Sequence, residues 1–352
     1  MSDAPSDELF EEEFEEDEAA ASDDEHAPPR TFTVKGEAVG ARLDVHLAAR
    51  FARLSRSAVQ KLIKSGAVLV NGAPAKPSHT LAAGEEVSIE VPPVPVRKLV
   101  PEYAPLDILY EDELMLAVNK PAGIVVHPAR GHWGGTLINA VLYHCHRLSS
   151  ITPGRPGIVH RLDRDTTGVI LFMKEDWAHR HVARQFEYRR TEKEYLAVVE
   201  GEMQYDSGQV SFPLGRHRTD TQKMAIRMAD GREAQTAYKV LERFRGYTFV
   251  SAMPKTGRTH QIRVHLAALG HPVAADELYS KKGPVYLCDL EGGAQAHPVD
   301  QEPIMARQAL HAWRLNVEYP GKRERIEFKA PLPRDMEGFI EALRRTRARD
   351  ST

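Results

Sequence analysis

The sequence predicts an α+β protein in two parts. A small α/β module comes first, followed by a larger domain built on a mixed, mainly antiparallel β-sheet with flanking helices. Two patterns lead there. Between residues 41 and 64 apolar residues recur at helical spacing, and short strand-like runs follow. From about 106 to 330, short apolar runs separated by turns outnumber the helical stretches. Between the parts lie Pro92, Pro93, Pro95, Pro101 and Pro105, a stiff linker and a natural boundary.

The elements follow in order. Leu43, Leu47 and Leu54 predict one helix. Ser55 is a candidate N-cap for a second, with Val59, Leu62 and Ile63 as its buried stripe. Residues 67–70 predict a strand entering an Asn71-Gly72 turn, and Val87, Ile89 and Val91 alternate as in another strand. Beyond the prolines, 114–119, 169–174, 195–200, 237–241 and 248–252 predict strands. Residues 177–189, 259–269 and 336–349 predict helices, with Ile262, Leu266 and Leu269 as the buried stripe of the second. The expected boundaries are an acidic disordered tail at 1–30, a module at 31–95, a linker at 96–105, a main domain at 106–330, and a basic terminal helix and tail at 331–352.

Composition bounds the function. The chain has 352 residues, 42% of them hydrophobic, which excludes a fibre, a small disulfide scaffold and a wholly disordered protein. Its net charge of -3 comes from 47 basic and 50 acidic residues and argues against an anionic partner. The distribution reverses that. Residues 1–25 hold thirteen acids and no Lys or Arg; removing them leaves 37 acids against 47 bases, so the body carries +10. From 41 to 64 there are six bases (Arg42, Arg50, Arg53, Arg56, Lys61, Lys64) against Asp44 alone, an excess suited to phosphate. Two cysteines, Cys145 and Cys288, fit a reducing compartment without a disulfide framework. No apolar run reaches the ~20 residues of a membrane helix, and the acidic start is no secretory signal. A soluble, cytoplasmic protein is expected.

Two polar clusters could carry chemistry. His160-Arg161-Leu162-Asp163-Arg164-Asp165-Thr166-Thr167-Gly168 leads into the apolar run 169–174, where a loop is held by a sheet. Lys255-Thr256-Gly257-Arg258-Thr259-His260-Gln261-Ile262-Arg263 opens the helix at 259, and a helix N-terminus with nearby bases suits an anion. Arg263 falls one residue off the apolar stripe and so can reach a cleft. Other sites fail on their patterns. There is no Walker loop, no kinase DFG, no G-x-S-x-G and no dinucleotide fingerprint. His144-Cys145-His146 lacks a second ligand pair at zinc spacing and is read as non-metal.

The two clusters resemble the HRLD-x-x-[ST]-[ST]-G and TGR-[ST]-HQ-[IL]-R-x-H-[ML] blocks of the RluA-type pseudouridine synthases. Lys193-Glu194-Tyr195, Asn119-Lys120-Pro121, Val126-His127-Pro128 and Arg307–Ala312 resemble four further motifs in the same order. Residues 41–90 are similar to an S4 RNA-binding domain through Arg42-Leu43-Asp44, Leu54-Ser55-Arg56-Ser57 and Val70-Asn71-Gly72. Residues 105–112 and 126–131 resemble the D type, which acts on large-subunit rRNA; the C type also carries an S4 domain. The family commonly has Gly-Asp-Pro-Leu-Tyr-Gly where this chain has Ala275-Asp276-Glu277-Leu278-Tyr279-Ser280, a change expected to bear on substrate identity more than on activity.

The resemblance implies a pseudouridine synthase fold and a cofactor-free, metal-free isomerisation of uridine in RNA, with 23S rRNA near helix 69 as target. C-type sites in 23S rRNA or tRNA are the alternative target. It implies three catalytic residues: Asp163 as the essential carboxylate, Arg263 as the partner that keeps it ionised, and Tyr195, which would stack on the flipped uracil and serve in the later proton removal from C5. Arg161, His160, Lys193, Leu266, Arg258, Thr259 and His260 would contact substrate, with Arg161 at the vacated stack and Leu266 as an apolar wall. In the S4-like module, Arg42, Arg53, Arg56, Lys61 and Lys64 would contact RNA. The partner is RNA, within pre-ribosomal particles if the target is rRNA, with the protein acting as a monomer and without a membrane. Two other classes are open: a non-catalytic RNA-binding assembly factor, and a metal-dependent nuclease using Asp163, Asp165 and Asp276.

Overall fold

The computed structural model describes residues 30–51, 56–90, 99–128, 134–152, 154–292 and 302–348. These fall into two compact units that divide between Lys98 and Leu99. The expected tail and the sequence readings at Arg53, Leu54, Ser55, Val91 and Arg349 lie outside the described residues.

The first unit is a four-stranded antiparallel sheet with two helices. Its strands are β1 (Arg30–Thr33), β2 (Val68–Val70), β3 (Ala73–Pro74) and β4 (Glu86–Ile89), in the order β1-β4-β2-β3. Helices α1 (Leu43–Arg50) and α2 (Arg56–Lys64) bury Leu43, Leu47, Val59 and Ile63 against Val68, Val87 and Ile89. Residues four apart lie on one helix face, so the spacing read from sequence is the spacing that packs. Asn71 and Gly72 both have positive φ (49° and 75°). That pair closes the two-residue β2–β3 hairpin, whose twist needs left-handed backbone at both positions.

The second unit is built on one nine-stranded sheet. Its strands run β5 (Ile108–Glu111), β6 (Met115–Lys120), β7 (Thr167–Met173), β14 (Leu310–Glu318), β8 (Glu192–Glu200), β13 (Tyr247–Pro254), β12 (Thr236–Phe244) and β9 (Ser207–Val210). Strand β15 (Arg325–Lys329) pairs with the far half of β14, and β10 (Leu214–Arg216) pairs with β11 (Met224–Ile226) as a separate hairpin. The β7–β14 pair is parallel and the other named pairs are antiparallel, so the fold is α+β with a mixed sheet.

Every residue of β7 is buried because the sheet is covered on both faces. Val169, Leu171 and Met173 pack on α4 (Asp176–Glu187), through Ala178 and Val182. Ile170 and Phe172 face α3 (Leu137–Cys145), through Leu137, Ile138 and Val141. A strand with two dry faces reads as an unbroken apolar run. The other half of the sheet buries Val198, Phe244 and Val250 with α5 (Gln261–Ala268) and α7 (Arg334–Thr346). A four-residue helix, α6 (Leu287–Leu290), completes the set.

Three expectations change. Leu269 is 38% exposed, because α5 ends at Ala268 and the chain turns away at Gly270. Helix α7 is no appendage: Met336, Phe339, Ile340 and Leu343 belong to the main core. Leu99 packs on the α3 cluster and Glu102 accepts the Gly135 N–H at 2.8 Å, so the end of the proline segment belongs to the second unit.

Candidate active site

Residues 160–166 form the loop that enters β7. Gly168 fixes its exit. There φ is +114°, and an added Cβ would lie 2.2 Å from the Ala312 carbonyl oxygen, so the parallel β7–β14 contact admits only glycine. Three side chains hold the loop. The Lys120 ammonium donates to the Arg164 carbonyl at 2.7 Å, and to those of Pro121 and Ile124 at 2.8 Å. Lys120 is fully buried, and burial pulls its pKa down to about 7. Arg307 donates to the Asp165 carbonyl at 3.0 Å while its other nitrogens grip Asp335 on α7. Gln308 reaches the Thr166 hydroxyl at 3.4 Å.

This loop delivers Asp163 to the floor of an open cleft. Its carboxylate is 22% exposed and accepts Arg263 Nη1 at 3.0 Å. Arg263 comes from α5 and is nearly buried. Its Nε and Nη2 donate to Oδ2 and Oδ1 of Asp276 at 2.6 and 2.7 Å. Asp276 is fully buried and also accepts the N–H groups of Leu278 and Tyr279. One guanidinium thus joins two carboxylates, one sealed and one facing the cleft. Burial raises the Asp163 pKa, but His260 and Arg263 together pull it lower, so the group sits below the ordinary carboxylate value. Burial opposes the Arg263 charge, and its two carboxylate partners more than offset it.

Tyr195 and Lys193 stand two apart on β8, on the same face, and both line the cleft. Burial first, and Asp163 second, raise the Tyr195 pKa, so its phenol is neutral. Lys193 Nζ donates to the Thr256 carbonyl at 3.1 Å. Arg161 is exposed at the cleft's edge. His260 Nε2 lies 3.8 Å from Asp163 Oδ2, and its Nδ1 shares a 2.8 Å hydrogen bond with the Tyr279 hydroxyl. Arg258 and Thr259 line the same wall. The Arg258 N–H donates to Gln261 Oε1, and its Nε reaches the Glu233 carbonyl.

Two expectations shift. His160 borders the cleft, but its Nε2 accepts the Leu171 N–H at 3.0 Å and its ring stacks on Phe186. Burial pulls its pKa down to about 3, so it is a neutral support of the loop. Leu266 is fully buried one turn beyond Ile262, in the core, and is not a cleft wall; Leu162, Ile262 and Leu310 make the apolar wall instead.

The sequence offered Asp276 only as a nuclease carboxylate and gave Tyr279 no role; the structure sets both against Arg263. The segment 275–280, expected to affect substrate more than activity, packs directly behind Arg263. Tyr279 lies under the guanidinium, 5.1 Å from its carbon to the ring centre. The signal was present: this chain keeps the Asp and Tyr of the family's Gly-Asp-Pro-Leu-Tyr-Gly segment. Asp163, Asp165 and Asp276 do not form a cation site, since Arg263 lies between the first and last and Asp165 pairs with Arg164 at 2.8 Å. Among the described residues, Glu111, His144 and Cys145 approach as possible metal ligands, but Lys174 already bonds Glu111 at 2.7 Å.

In the first unit, Arg42 and Arg56 both donate to Asp44, whose carboxylate is fully buried and also accepts from Gln60. Their guanidinium faces remain about half exposed, and Lys61 and Lys64 are exposed on α2.

Residues 114–268 match the family model described as RNA pseudouridylate synthase, and residues 41–87 match the S4 domain. A ribosomal large subunit pseudouridine synthase D of Neisseria meningitidis serogroup B is 39% identical over 97% of this chain and 89% of its own length. The chain belongs to the RNA pseudouridylate synthase family. Another member, the uncharacterized RNA pseudouridine synthase YlyB of Bacillus subtilis, is 41% identical over 89% of this chain and 98% of its own. Among solved structures, human RNA pseudouridylate synthase domain containing 4 aligns with a TM-score of 0.52 at 26% identity, over 67% of this chain and 92% of that one. As a pseudouridine synthase the chain is an isomerase acting on RNA. No helix among the described residues is long and apolar enough to cross a membrane.

Proposed function

We propose that this pseudouridine synthase converts uridine to pseudouridine in large-subunit rRNA, in the helix 69 region, with Asp163 as the essential carboxylate. The Asp163–Arg263–Asp276 chain at the cleft floor carries this reading. It holds an ionised carboxylate in a largely dry pocket, which the reaction needs. The relatives named ribosomal large subunit pseudouridine synthase D support the target class.

The reaction breaks N1–C1′, turns the uracil and joins C5 to C1′; C5 then loses its proton and the freed N1 takes one up, so the product is an isomer of the substrate. The target nucleotide must first leave its stack. The open cleft would receive it, with the neutral Tyr195 ring as a stacking face and Arg161 at the mouth to occupy the gap left behind. Leu162, Ile262 and Leu310 shield the detached sugar from water, which would otherwise hydrolyse it. Asp163 acts next to the ribose, either on C1′ or on the 2′ proton. The S4 unit and the basic body would capture RNA by its phosphates, and the proposed setting is the cytoplasm, on rRNA or its assembling particles.

The test is modification mapping of rRNA and tRNA from a deletion strain complemented with wild type or Asp163→Asn. Loss of pseudouridine near helix 69, restored only by wild type, is expected. Pseudouridine restored by Asp163→Asn would reject the role of Asp163, and changes at other rRNA or tRNA sites alone would reassign the target. No modification with wild type would favour a non-catalytic assembly factor.

A further inference from the structure

We infer that the outer face of α4 is a landing strip for the single-stranded RNA that flanks the target uridine. The inference rests on the RNA-isomerase reading and adds a surface outside the family motifs and the S4 unit. Four residues carry it: Trp177, Arg180, Arg184 and Tyr188. They recur at intervals of three, four and four, so they lie on one side of the helix as it runs out of Glu187. The opposite side is buried through Ala178, Val182 and Phe186.

The exposure of the outer face is unusual in kind. Trp177 and Tyr188 are 50% and 51% exposed, although each ring could bury far more. One edge of the Trp177 ring faces Gly321, where an added Cβ would meet it at 3.4 Å, and half of the residue remains exposed. Arg190 lies over the Tyr188 ring at 5.7 Å. Between the aromatics, Arg180 and Arg184 are exposed, and neither makes an ion pair among the described residues. Asp176, an acid on the same helix, is turned to Ser149 and Ser150 instead. Exposed aromatic rings interleaved with exposed guanidinium groups are what a nucleotide strand recognises: bases stack on the rings, and phosphates meet the arginines. From 177 to 188 the stripe spans roughly 16 Å at helical rise, the reach of a few nucleotides.

The C-terminal end of α4 borders the cleft: Phe186, on the helix's buried side, lines it, and the Lys193 ammonium lies 5.8 Å over the Phe186 ring. A strand following Trp177 to Tyr188 and Arg190 arrives at the mouth beside Lys193.

The test compares full-length wild type with Arg180→Gln/Arg184→Gln and with Trp177→Ala/Tyr188→Ala. Melting curves check that each variant folds. Each is titrated with two labelled uridine-loop RNAs, one with single-stranded flanks and one trimmed of them. With the flanked RNA, the arginine pair is expected to lower the slope of log K against log salt by about 1.4. The aromatic pair is expected to cost roughly fivefold or more per ring with little change in slope. With the trimmed RNA, wild type should bind more weakly and the variants should match it. Wild-type affinity and slope in both variants would overturn the inference, as would equal losses on both RNAs. Failure of the parent reading shows separately, as wild type forming no pseudouridine on either RNA.

Discussion

Replacing Asp276 with asparagine isolates what lies behind Asp163, the proposed catalytic carboxylate. Asp276 never meets the cleft, yet two of the three carboxylate contacts of Arg263 end on it, at 2.6 and 2.7 Å. An asparagine oxygen at the Oδ1 position still accepts Arg263 Nη2 and the N–H groups of Leu278 and Tyr279. Its amide nitrogen then faces Arg263 Nε, donor against donor. One charge-assisted hydrogen bond is lost, about 1.5–3 kcal/mol, and a buried guanidinium loses half its countercharge, for a total of ~3–5 kcal/mol. For a unit of this size that lowers Tm by roughly 6–20 °C. Arg263 must also shift, and a displacement of about 1 Å at a catalytic pair costs on the order of 10²-fold in rate. Thermal unfolding reads the first effect. Single-turnover release of tritium from 5-tritiated uridine in RNA reads the second. A variant that melts within about 2 °C of wild type and turns over within roughly threefold of it would show that Asp276 does not hold Arg263 in place.

Four further outcomes are expected. Arg263→Gln removes a charge that holds Asp163 below the ordinary carboxylate value while burial still pushes it up, so the acid limb of the pH–rate profile should move to higher pH; an unmoved limb would contradict the pairing. The sign for stability agrees: with a depressed folded pKa, the wild-type pair contributes fully above the unfolded value near 4 and loses its contribution as pH falls through the folded one. Gly168→Ala should reduce soluble yield and stability by about 3 kcal/mol or more, because its Cβ would overlap the Ala312 backbone; a wild-type melt would refute the close approach. Deleting residues 31–95 should raise KM on structured rRNA and leave a folded, weakly active core, whereas deleting residues 1–25 should leave activity intact or tighten RNA binding. Unchanged KM in the first truncation, or collapse of activity in the second, would reject those assignments.

The elements most legible in the sequence were those whose burial follows one period. Residues 169–174 read as a strand because both faces of β7 are dry, and 177–189 read as a helix because α4 is dry on one side and wet on the other. Strand β14 escaped, although it lies between β7 and β8, because Leu310–Glu318 mixes His, Trp, Arg and Asn with its apolar residues. Those polar groups are satisfied by distant partners, as His311 is by the Thr167 hydroxyl at 2.8 Å. Helix α3 escaped for the reason that β7 was found: Leu137–Val141 is buried almost all round and shows no helical stripe.

At the site, the family resemblance singled out Asp163, Tyr195 and Arg263, and the structure brings the three to one cleft. Local pattern could not reveal that Arg263 divides its guanidinium between Asp163 and Asp276, residues 100 and 13 positions away. It could not show that His160 supports its loop, that Leu266 lies behind the wall, or that the Ala275–Ser280 segment backs the catalytic pair. Sequence by itself determined the chemistry on offer and the opposed charges of tail and body, since these depend on residue identity and spacing. The tertiary structure decided which charge faces the cleft and which is sealed beneath it, because burial and partner choice are set by chain segments that meet only after folding.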